Sequence, residues 1–397
     1  MTKPLGGLRI LDLTHFVAGP WCTMLLADLG ADVTKIEPLN GEISRSMGGV
    51  YAGEESAIFL GFNRGKRSVA IDLKDPEGLA IVQKLAGESD IVIHNFRPGT
   101  AERLGVDAGV LRGNRPGLIH CAISAFGSDG PYASQPANDP LIQALSGAMS
   151  ETAGAGGAPT RMGVSVPDFA AGVLAAIAVL AAVRHRFVTG IGTTIELNLL
   201  DSQLFAQVDL LTHTAVSQPT QEVNTDFVRD AFLCADGEAL WLELDTLDGF
   251  SAAATQATGR RMPVPEESLD QPALSTLRPL ISGILLTRSR AAWLTALRVH
   301  GVVCAPVLGL GDVLPGEPDR TTRAHTSVIH GLRHLRTPII TDPPWLRVET
   351  PPPRLGEHTR QVLQGLGMDN PDIDGLVTRG VIRDAPAAAM TTPHTAS

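Results

Sequence analysis

The order of apolar and polar positions predicts alternating strands and helices in the first half of the chain. Short apolar runs that suit buried strands alternate with longer stretches that suit helices. The predicted strands are LRILDLT, ADVTKIEP, KRSVAIDL, DIVIHNF and GLIHCAIS. The predicted helices between them are GPWCTMLLADLG, DPEGLAIVQKLAGES and AERLGVDAGVLRGN. This alternation predicts right-handed βαβ units and a mostly parallel sheet, so the expected fold class is α/β, Rossmann-like and doubly wound.

The apolar run from Phe169 to Val183 predicts a helix of the core. It is apolar on all sides and is followed by the basic tripeptide RHR. The run is shorter than the roughly 20 residues that cross a membrane, which favours a buried helix. Asp168 stands directly before it, either as an N-cap or as a carboxylate that the helix N-terminus keeps ionised for nucleophilic attack. The local sequence is compatible with both roles.

The pattern changes after residue 216, which predicts a second domain. The polar residues 217–224 indicate a linker, and residues 225–320 contain a hairpin, a helix and a strand that suit a smaller α+β domain. Residues 321–353 indicate a second linker. The C-terminal part, 330–397, has prolines followed by a short amphipathic helix and is expected to complete the large domain of residues 1–216.

Composition and charge narrow the function. The chain has 397 residues, of which 44% are apolar and 19% charged, as in globular proteins, and its net charge of −10 disfavours nucleic acid as a partner. Four isolated cysteines predict free thiols, a reducing compartment and no metal site. No GxGxxG follows the first strand, which disfavours a dinucleotide cofactor. The N-terminus lacks a signal-peptide core, so we expect a cytoplasmic protein without a membrane partner.

Seven segments, in order along nearly the whole chain, resemble the family III CoA-transferases. This family includes formyl-CoA and carnitine CoA-transferases and the α-methylacyl-CoA racemases. The segments are DLTHFVAGPWCTMLLADLGADVTKIE, NRGKRSVAIDLKDPEG, IHNFRPGTAERLGV, SAFGSDGPYASQPANDPLIQALSG, VPDFAAG, GVVCAPV and PRLGEHT. The resemblance implies a CoA-transferase with acyl-CoA and a carboxylic acid as substrates. It also implies an interlocked, ring-shaped homodimer, in which residues 217–226 and 335–353 would be the long arms. By composition alone, these two segments are ordinary surface linkers.

The resemblance also implies the site. Asp168 would be the catalytic nucleophile, which forms an anhydride with the acyl group and then a thioester with CoA. The residues that it places along CoA are His15, Phe16, Val17, Ala18, Leu73, Lys74, Asn95, Phe96, Arg97 and Arg103. Position alone makes His15 a packed rather than a catalytic histidine, and Arg97 suits a surface role as well as a phosphate.

Two other groups of residues have alternative interpretations. Arg64, Lys66 and Arg67 form a basic cluster that suits a phosphate, or a solvated loop. The C-terminal segment PRLGEHT, with Glu357 and His358, is expected to be structural or interfacial rather than catalytic.

The sequence departs from both well-known branches of the family. Where the racemases have a proton-exchanging histidine, this chain has Asn138, which cannot exchange a proton at neutral pH, and the adjacent Asp139 is expected to point elsewhere. The racemase glutamate after the turn at Asp236-Gly237 has no clear equivalent, and the glycine-run loop of formyl-CoA transferases is absent. We therefore expect a CoA-transferase. The alternatives are an α-methylacyl-CoA racemase or other acyl-CoA isomerase, and a non-catalytic acyl-CoA-binding protein, which the retained Asp168 disfavours.

Overall fold

The structure, a computed structural model, describes residues 3–113, 115–153, 157–216, 228–244, 246–259, 271–313, 326–329, 332–342, 344–346 and 350–385. By its internal contacts the chain divides into two compact units. One unit consists of residues 1–215 and 325–397, and the other of residues 216–324. The expected linker 217–224 lies outside the described residues, as does the start of the second linker, residues 321–325.

The first part of the large unit alternates strands and helices, as the sequence predicts. Its described strands are β1 (Arg9–Leu13), β2 (Asp32–Glu37), β3 (Tyr51–Ala52), β4 (Glu55–Ser56), β5 (Lys66–Ile71), β6 (Ile91–His94), β7 (Ile119–Ser124) and β8 (Thr194–Asn198). Its described helices are α1 (Ala18–Asp28), α2 (Ala57–Phe62), α3 (Pro76–Glu88), α4 (Thr100–Arg103), α5 (Ala108–Gly113), α6 (Asp139–Leu145), α7 (Ala148–Glu151), α8 (Val166–Thr189), α9 (Leu199–Ala206) and α10 (Val208–Val216). A 3₁₀ turn at Ile43–Ser46 follows β2.

The small unit has an antiparallel sheet covered by helices. Its described elements are β9 (Val228–Leu233), β10 (Ala239–Leu244), α11 (Asp248–Thr258), α12 (Gln271–Leu285), α13 (Arg290–Val299), β11 (Val303–Pro306) and α14 (Leu310–Val313). The strand order is β11-β10-β9. Leu233 pairs with Ala239, and Gly237 in the turn between them has a φ of 76°. The predicted hairpin is therefore confirmed.

The chain then returns to the large unit. The described elements there are β12 (Thr326–Ile329), β13 (Leu332–Leu335), α15 (Thr359–Gly365), α16 (Asn370–Thr378) and β14 (Ile382–Arg383). The segment PRLGEHT is fixed on β5: the Gly356 N–H donates to Ser68 Oγ at 2.9 Å, and the Ala70 N–H donates to Thr359 Oγ1 at 3.1 Å. These bonds give the segment the structural role that the sequence predicts.

The central sheet of the large unit has the order β14-β5-β2-β1-β6-β7-β8. All of its neighbouring strands are parallel except β14, which pairs antiparallel with β5. The six parallel strands follow the doubly wound order 3-2-1-4-5-6, which confirms the predicted α/β class. In such sheets ligands bind outside the carboxyl ends of the strands where the order reverses. Here that place is between β1 and β6.

Helix α8 packs closely against α1 near the N-termini of both helices. A Cβ atom on Gly172 would lie 2.7 Å from the Ala18 carbonyl oxygen, so only glycine permits this approach. The inner face of α8 carries small buried residues, among them Ala171, Ala175 and Ala182. The helix has 24 residues and is apolar and long enough to cross a membrane by length and composition alone. The length that we expected for it is therefore wrong, and its packing on α1 is what supports a core helix.

Candidate active site

Asp168 lies inside the first turn of α8 rather than before it. The helix begins at Val166, and its N-cap is Ser165, whose side chain makes no capping bond. Proline suits the first helical turn because its φ is already fixed, so Pro167 is accommodated within that turn and the helix starts ahead of the aspartate. The Asp168 carboxylate instead accepts the backbone N–H of Ala18, the first residue of α1. The N-cap interpretation is thus wrong, and the carboxylate faces the N-terminus of a second helix.

A second carboxylate, that of Asp139, adjoins Asp168. Asp139 is 5% exposed, accepts the backbone N–H of Asp168, and its Oδ1 accepts a 2.7 Å bond from Gln143 Nε2. Asn138 caps α6 through a 3.3 Å bond from the Leu141 N–H to its Oδ1. The expectation that Asp139 points elsewhere is wrong, because the cap directs Asn138 to its own helix and leaves Asp139 facing Asp168. The Asn-Asp-Pro sequence, a common helix start, was the available signal.

The Asp139 carboxylate influences the protonation of Asp168. Burial and the neighbouring Asp139 carboxylate raise the pKa of Asp168 to about 7, although the Ala18 N–H opposes this shift. Burial also raises the pKa of Asp139. From its place at a helix N-terminus, we expected Asp168 to be kept ionised. With a pKa of about 7 it is only partly ionised at neutral pH, so this expectation is wrong. A carboxyl group that titrates near neutral pH is typical of groups that take part in chemistry.

The loop between β1 and α1 is held in an unusual conformation beside this pair. Phe16 has a φ of 67°, and it is the one non-glycine residue with a positive φ in the described part of the chain. This conformation costs an L-residue roughly 1–2 kcal/mol. Three bonds fix the loop: Phe16 N–H to Glu42 Oε2 at 2.9 Å, His15 N–H to Asn95 Oδ1 at 2.9 Å, and Asn95 Nδ2 to the His15 carbonyl at 2.7 Å.

The basic cluster at the start of β5 is neither a phosphate site nor a solvated loop. Arg64 pairs with buried Asp28 at 2.7 Å, and Lys66 pairs with buried Asp12 at 3.1 Å. Burial lowers the pKa of Lys66 to about 8. Arg67, which is less buried, pairs with Asp32 at 2.7 Å. Both interpretations are corrected for Arg64 and Lys66, because buried carboxylates on neighbouring elements, which a local sequence window does not contain, neutralise these two cations. The partner of Arg67 is the exposed Asp32.

The residues expected along CoA lie on loops at the carboxyl edge of the sheet. His15, Phe16 and Val17 follow β1, and Ala18 begins α1. Asn95, Phe96 and Arg97 follow β6, so these two groups face each other where the strand order reverses.

Ring contacts and charge link the two loops further. The rings of His15 and Phe96 have centroids 6.4 Å apart, and Arg97 helps to lower the pKa of His15, although burial is the main cause. The structure therefore brings His15, Asn95, Phe96 and Arg97 together. The bonds between the His15 backbone and Asn95 agree with a packed His15.

The remaining expected residues lie farther along the same edge. Leu73 and Lys74 follow β5, two strands away from β1, and the Lys74 N–H donates to Asp72 Oδ1 at 2.9 Å. Arg103 ends α4 and donates to Thr100 Oγ1 at 2.9 Å within that helix. Among the described residues, no group of three His, Cys, Asp or Glu side chains is arranged to hold a metal ion. The site thus offers a carboxylate and backbone N–H donors for chemistry.

The chain matches a family model and several known proteins. The family model described as CoA-transferase family III matches residues 5–359. Succinyl-CoA:glutarate CoA-transferase from Mus musculus is 31% identical, over 96% of this chain and 90% of that protein. Succinate–glutarate CoA-transferase from Agrobacterium fabrum is 33% identical, over 91% and 96%. A solved structure of a CaiB/BaiF family protein from Brucella suis has a TM-score of 0.84 at 29% identity, over 92% of this chain and all of the other. The chain belongs to the family III CoA-transferases.

Proposed function

We propose that the protein transfers CoA from an acyl-CoA donor to a carboxylic acid acceptor, with Asp168 as the covalent nucleophile. The observation that supports this most directly is the position of the Asp168 carboxylate. It is partly buried, it accepts the Ala18 N–H, and it adjoins the loop after β1, at the place where a doubly wound sheet binds ligands.

The reaction proceeds through two kinds of covalent intermediate. The Asp168 carboxylate attacks the donor thioester, which forms a mixed anhydride and releases the CoA thiolate. The thiolate attacks the aspartyl carbonyl, which forms an aspartyl-CoA thioester and frees the donor acid. The acceptor carboxylate then attacks this thioester, giving a second anhydride and the thiolate once more. Attack of the thiolate on the acceptor's carbonyl gives the new acyl-CoA and restores Asp168.

The surroundings of Asp168 suit these steps. Each attack creates an oxyanion, and backbone N–H groups at the N-terminus of α1 can stabilise such charge. Their effect is strong because the site is partly shielded from water. The deprotonated form of Asp168 is the nucleophile, so a pKa of about 7 leaves a substantial fraction reactive at neutral pH.

The substrates are short dicarboxylic acids and their CoA esters. The names of both curated relatives pair succinyl-CoA or succinate with glutarate, and each of these acids has a second carboxylate. Such a group needs a cation near the reacting centre. Arg161 is exposed and its charge acts on Asp139, the neighbour of Asp168. It is our candidate for holding the distal carboxylate.

The CoA moiety lies along the carboxyl edge of the sheet. The loop after β1 (His15, Phe16, Val17 and Ala18) and the loop after β6 (Asn95, Phe96 and Arg97) line the crevice, with Leu73, Lys74 and Arg103 farther along. Support comes from the position of both loops at the reversal of strand order. Arg97 and Lys74 are exposed cations suited to phosphate groups.

The protein acts as a cytoplasmic homodimer. Large apolar side chains on α8 and α9 are exposed in the single chain, among them Phe169 at 47%, Ile177 at 57% and Phe205 at 65%. A surface of this kind is typical of a protein–protein contact. Of the proposed arms, 217–226 lies outside the described residues, and the described parts of 335–353 are largely irregular.

Labelled oxygen tests the proposed function. The protein is incubated with succinyl-CoA and glutarate carrying ¹⁸O in its carboxyl groups, and the products and peptides are weighed by mass spectrometry. We expect glutaryl-CoA to form and the peptide containing Asp168 to gain ¹⁸O, because the acceptor leaves one of its oxygens on the aspartate in each turnover. Glutaryl-CoA without label in that peptide would contradict the covalent role. A monocarboxylate such as butyrate serves as the control acceptor and should react more slowly.

An acyl-CoA racemase or isomerase is the second candidate, and the proximity of Asp139 to Asp168 is the observation in its favour. Two ionisable groups near one carbon can remove and return a proton. Asp139 is 5% exposed, however, and its Oδ1 accepts the Gln143 amide. This burial leaves Asp139 little access to a substrate, which favours the transferase.

A further inference from the structure

The turn from β1 into α1 sets the direction of the Ala18 N–H, which donates a hydrogen bond to the Asp168 carboxylate. Only the residues 14–17 connect the strand to the helix. Within them, Phe16 adopts a left-handed conformation that an L-residue does not keep without support. Whatever holds Phe16 in this conformation also sets the position of Ala18, two residues later.

Glu42 and Lys35 supply this support from another part of the chain. Glu42 Oε2 accepts the Phe16 N–H at 2.9 Å, and Glu42 Oε1 lies 3.2 Å from Lys35 Nζ. Lys35 Nζ also donates to the Thr14 carbonyl at 2.7 Å. The two side chains are 3% and 0% exposed, so water does not replace either contact. One buried ion pair thus holds the loop on both sides of His15.

We propose that Glu42, held by Lys35, is a positioning residue that fixes Phe16 in its left-handed conformation and so directs the Ala18 N–H at the Asp168 carboxylate. Glu42 acts through the backbone of Phe16, and the described bonds of the Glu42 side chain are to Phe16, Ser44 and Lys35. The inference rests on the proposed role of Asp168. It adds a positioning residue from the loop after β2, which the family resemblance did not indicate.

A purely structural ion pair is the alternative. Replacing such a pair by apolar side chains of similar size often leaves stability unchanged or increased. A structural role would therefore change only the melting temperature. A positioning role would loosen residues 14–18 and change the titration of Asp168, because a hydrogen bond to the charged form lowers a carboxyl pKa.

Two double variants separate these roles. Lys35→Met with Glu42→Gln removes both charges but keeps an oxygen that can accept the Phe16 N–H. Lys35→Met with Glu42→Met removes both charges and that acceptor. Since neither variant leaves a buried charge unpaired, both are expected to fold, which a melting curve checks. The bond from Lys35 to Thr14 is lost in both, so the acceptor at position 42 is the difference between them.

The first measurement is amide hydrogen–deuterium exchange in the peptide that covers residues 14–18, which needs no activity. We expect faster exchange there in the Met/Met variant than in the Met/Gln variant. The second is the rate of adduct formation with succinyl-CoA as a function of pH. In the Met/Met variant we expect the rate to fall by up to about a hundredfold, because the Ala18 N–H is misdirected, whereas removing an oxyanion-hole donor outright costs about 10²–10³-fold. We also expect its acidic limb to move to higher pH.

Equal exchange and equal pH profiles in the two variants would overturn the positioning role, whatever their melting temperatures. If the unmodified protein forms no adduct at all, the covalent role of Asp168 fails. The exchange comparison still decides whether Glu42 orders the loop.

Discussion

The Asp139 carboxylate accepts the backbone N–H of Asp168, and its negative charge, together with burial, raises the pKa of Asp168. Asp139 thereby helps to raise the pKa of Asp168. The pH dependence of the reaction should reveal this relationship.

Replacing Asp139 by asparagine should move the acidic limb of the activity profile to lower pH. The substitution removes the negative charge that helps to raise the pKa of Asp168 to about 7, and Asn can still accept the Asp168 N–H. Asp168 would then be deprotonated at a lower pH. The rate of adduct formation between pH 5 and 9 measures this. A limb that stays in place would show that burial alone sets the pKa.

Asp168→Ala should fold normally and lose turnover by a factor on the order of 10⁴ or more, since the nucleophile is gone. In the unmodified protein, acyl-CoA without acceptor should leave a hydroxylamine-sensitive adduct on the peptide that contains Asp168. Asp201→Ala, on α9, is a control that removes an aspartate from the same unit. Full activity of Asp168→Ala would disprove the covalent route.

Asp168→Asn should be more stable than the unmodified protein at pH 8. The folded-state pKa of Asp168 is raised from 3.8 to about 7, so the folded form prefers the protonated acid. The stability linked to this group is fully present below about pH 4 and is lost as the pH rises through 7. Asn avoids the buried charge. Melting temperatures should therefore differ at pH 8 and converge near pH 4; a difference that is the same at both values would contradict the raised pKa.

A 2-methylacyl-CoA in D₂O should not exchange its alpha proton, while CoA transfer to an acid proceeds. Proton exchange needs two ionisable groups that reach the carbon, and Asp139 is only 5% exposed. Mass spectrometry of the recovered thioester measures the exchange. Rapid exchange with inversion would establish the racemase instead.

The protein should remain dimeric on dilution to nanomolar concentrations if its chains interlock, because separation would then require unfolding. Light scattering at high concentration and single-molecule mass measurement at low concentration test this. Phe187 is apolar and 85% exposed in the single chain, so a substitution at this residue probes the contact between the two chains. A fraction of monomer that increases on dilution would rule out interlocking.

The strands of the large unit were predictable because strands buried on both faces appear as continuous apolar runs. Their spatial order was not, since pairing depends on contacts that are distant in sequence. The length of α8 was underestimated because the basic RHR resembled a helix end. The helix continues to Thr189 and is terminated by Gly190, which has a φ of 75°.

The site was predictable only where one segment carries the information. Asp168 was recognisable from its motif, whereas Asp139 depends on the approach of α6 to α8. Glu42 acts on a loop 26 residues away in sequence, through one bond to Phe16. No periodicity marks such a residue, and its role emerges only from the folded geometry.

The bonds between β5 and the segment around Gly356 have a consequence for synthesis of the chain. They join positions 288 residues apart, from Gly356 to Ser68. During translation, β5 leaves the ribosome long before Gly356 and β14 are made, so one side of this strand stays without a partner for most of that time. An unpaired strand invites association with other chains. The nascent protein should therefore depend on chaperones until its last part has emerged.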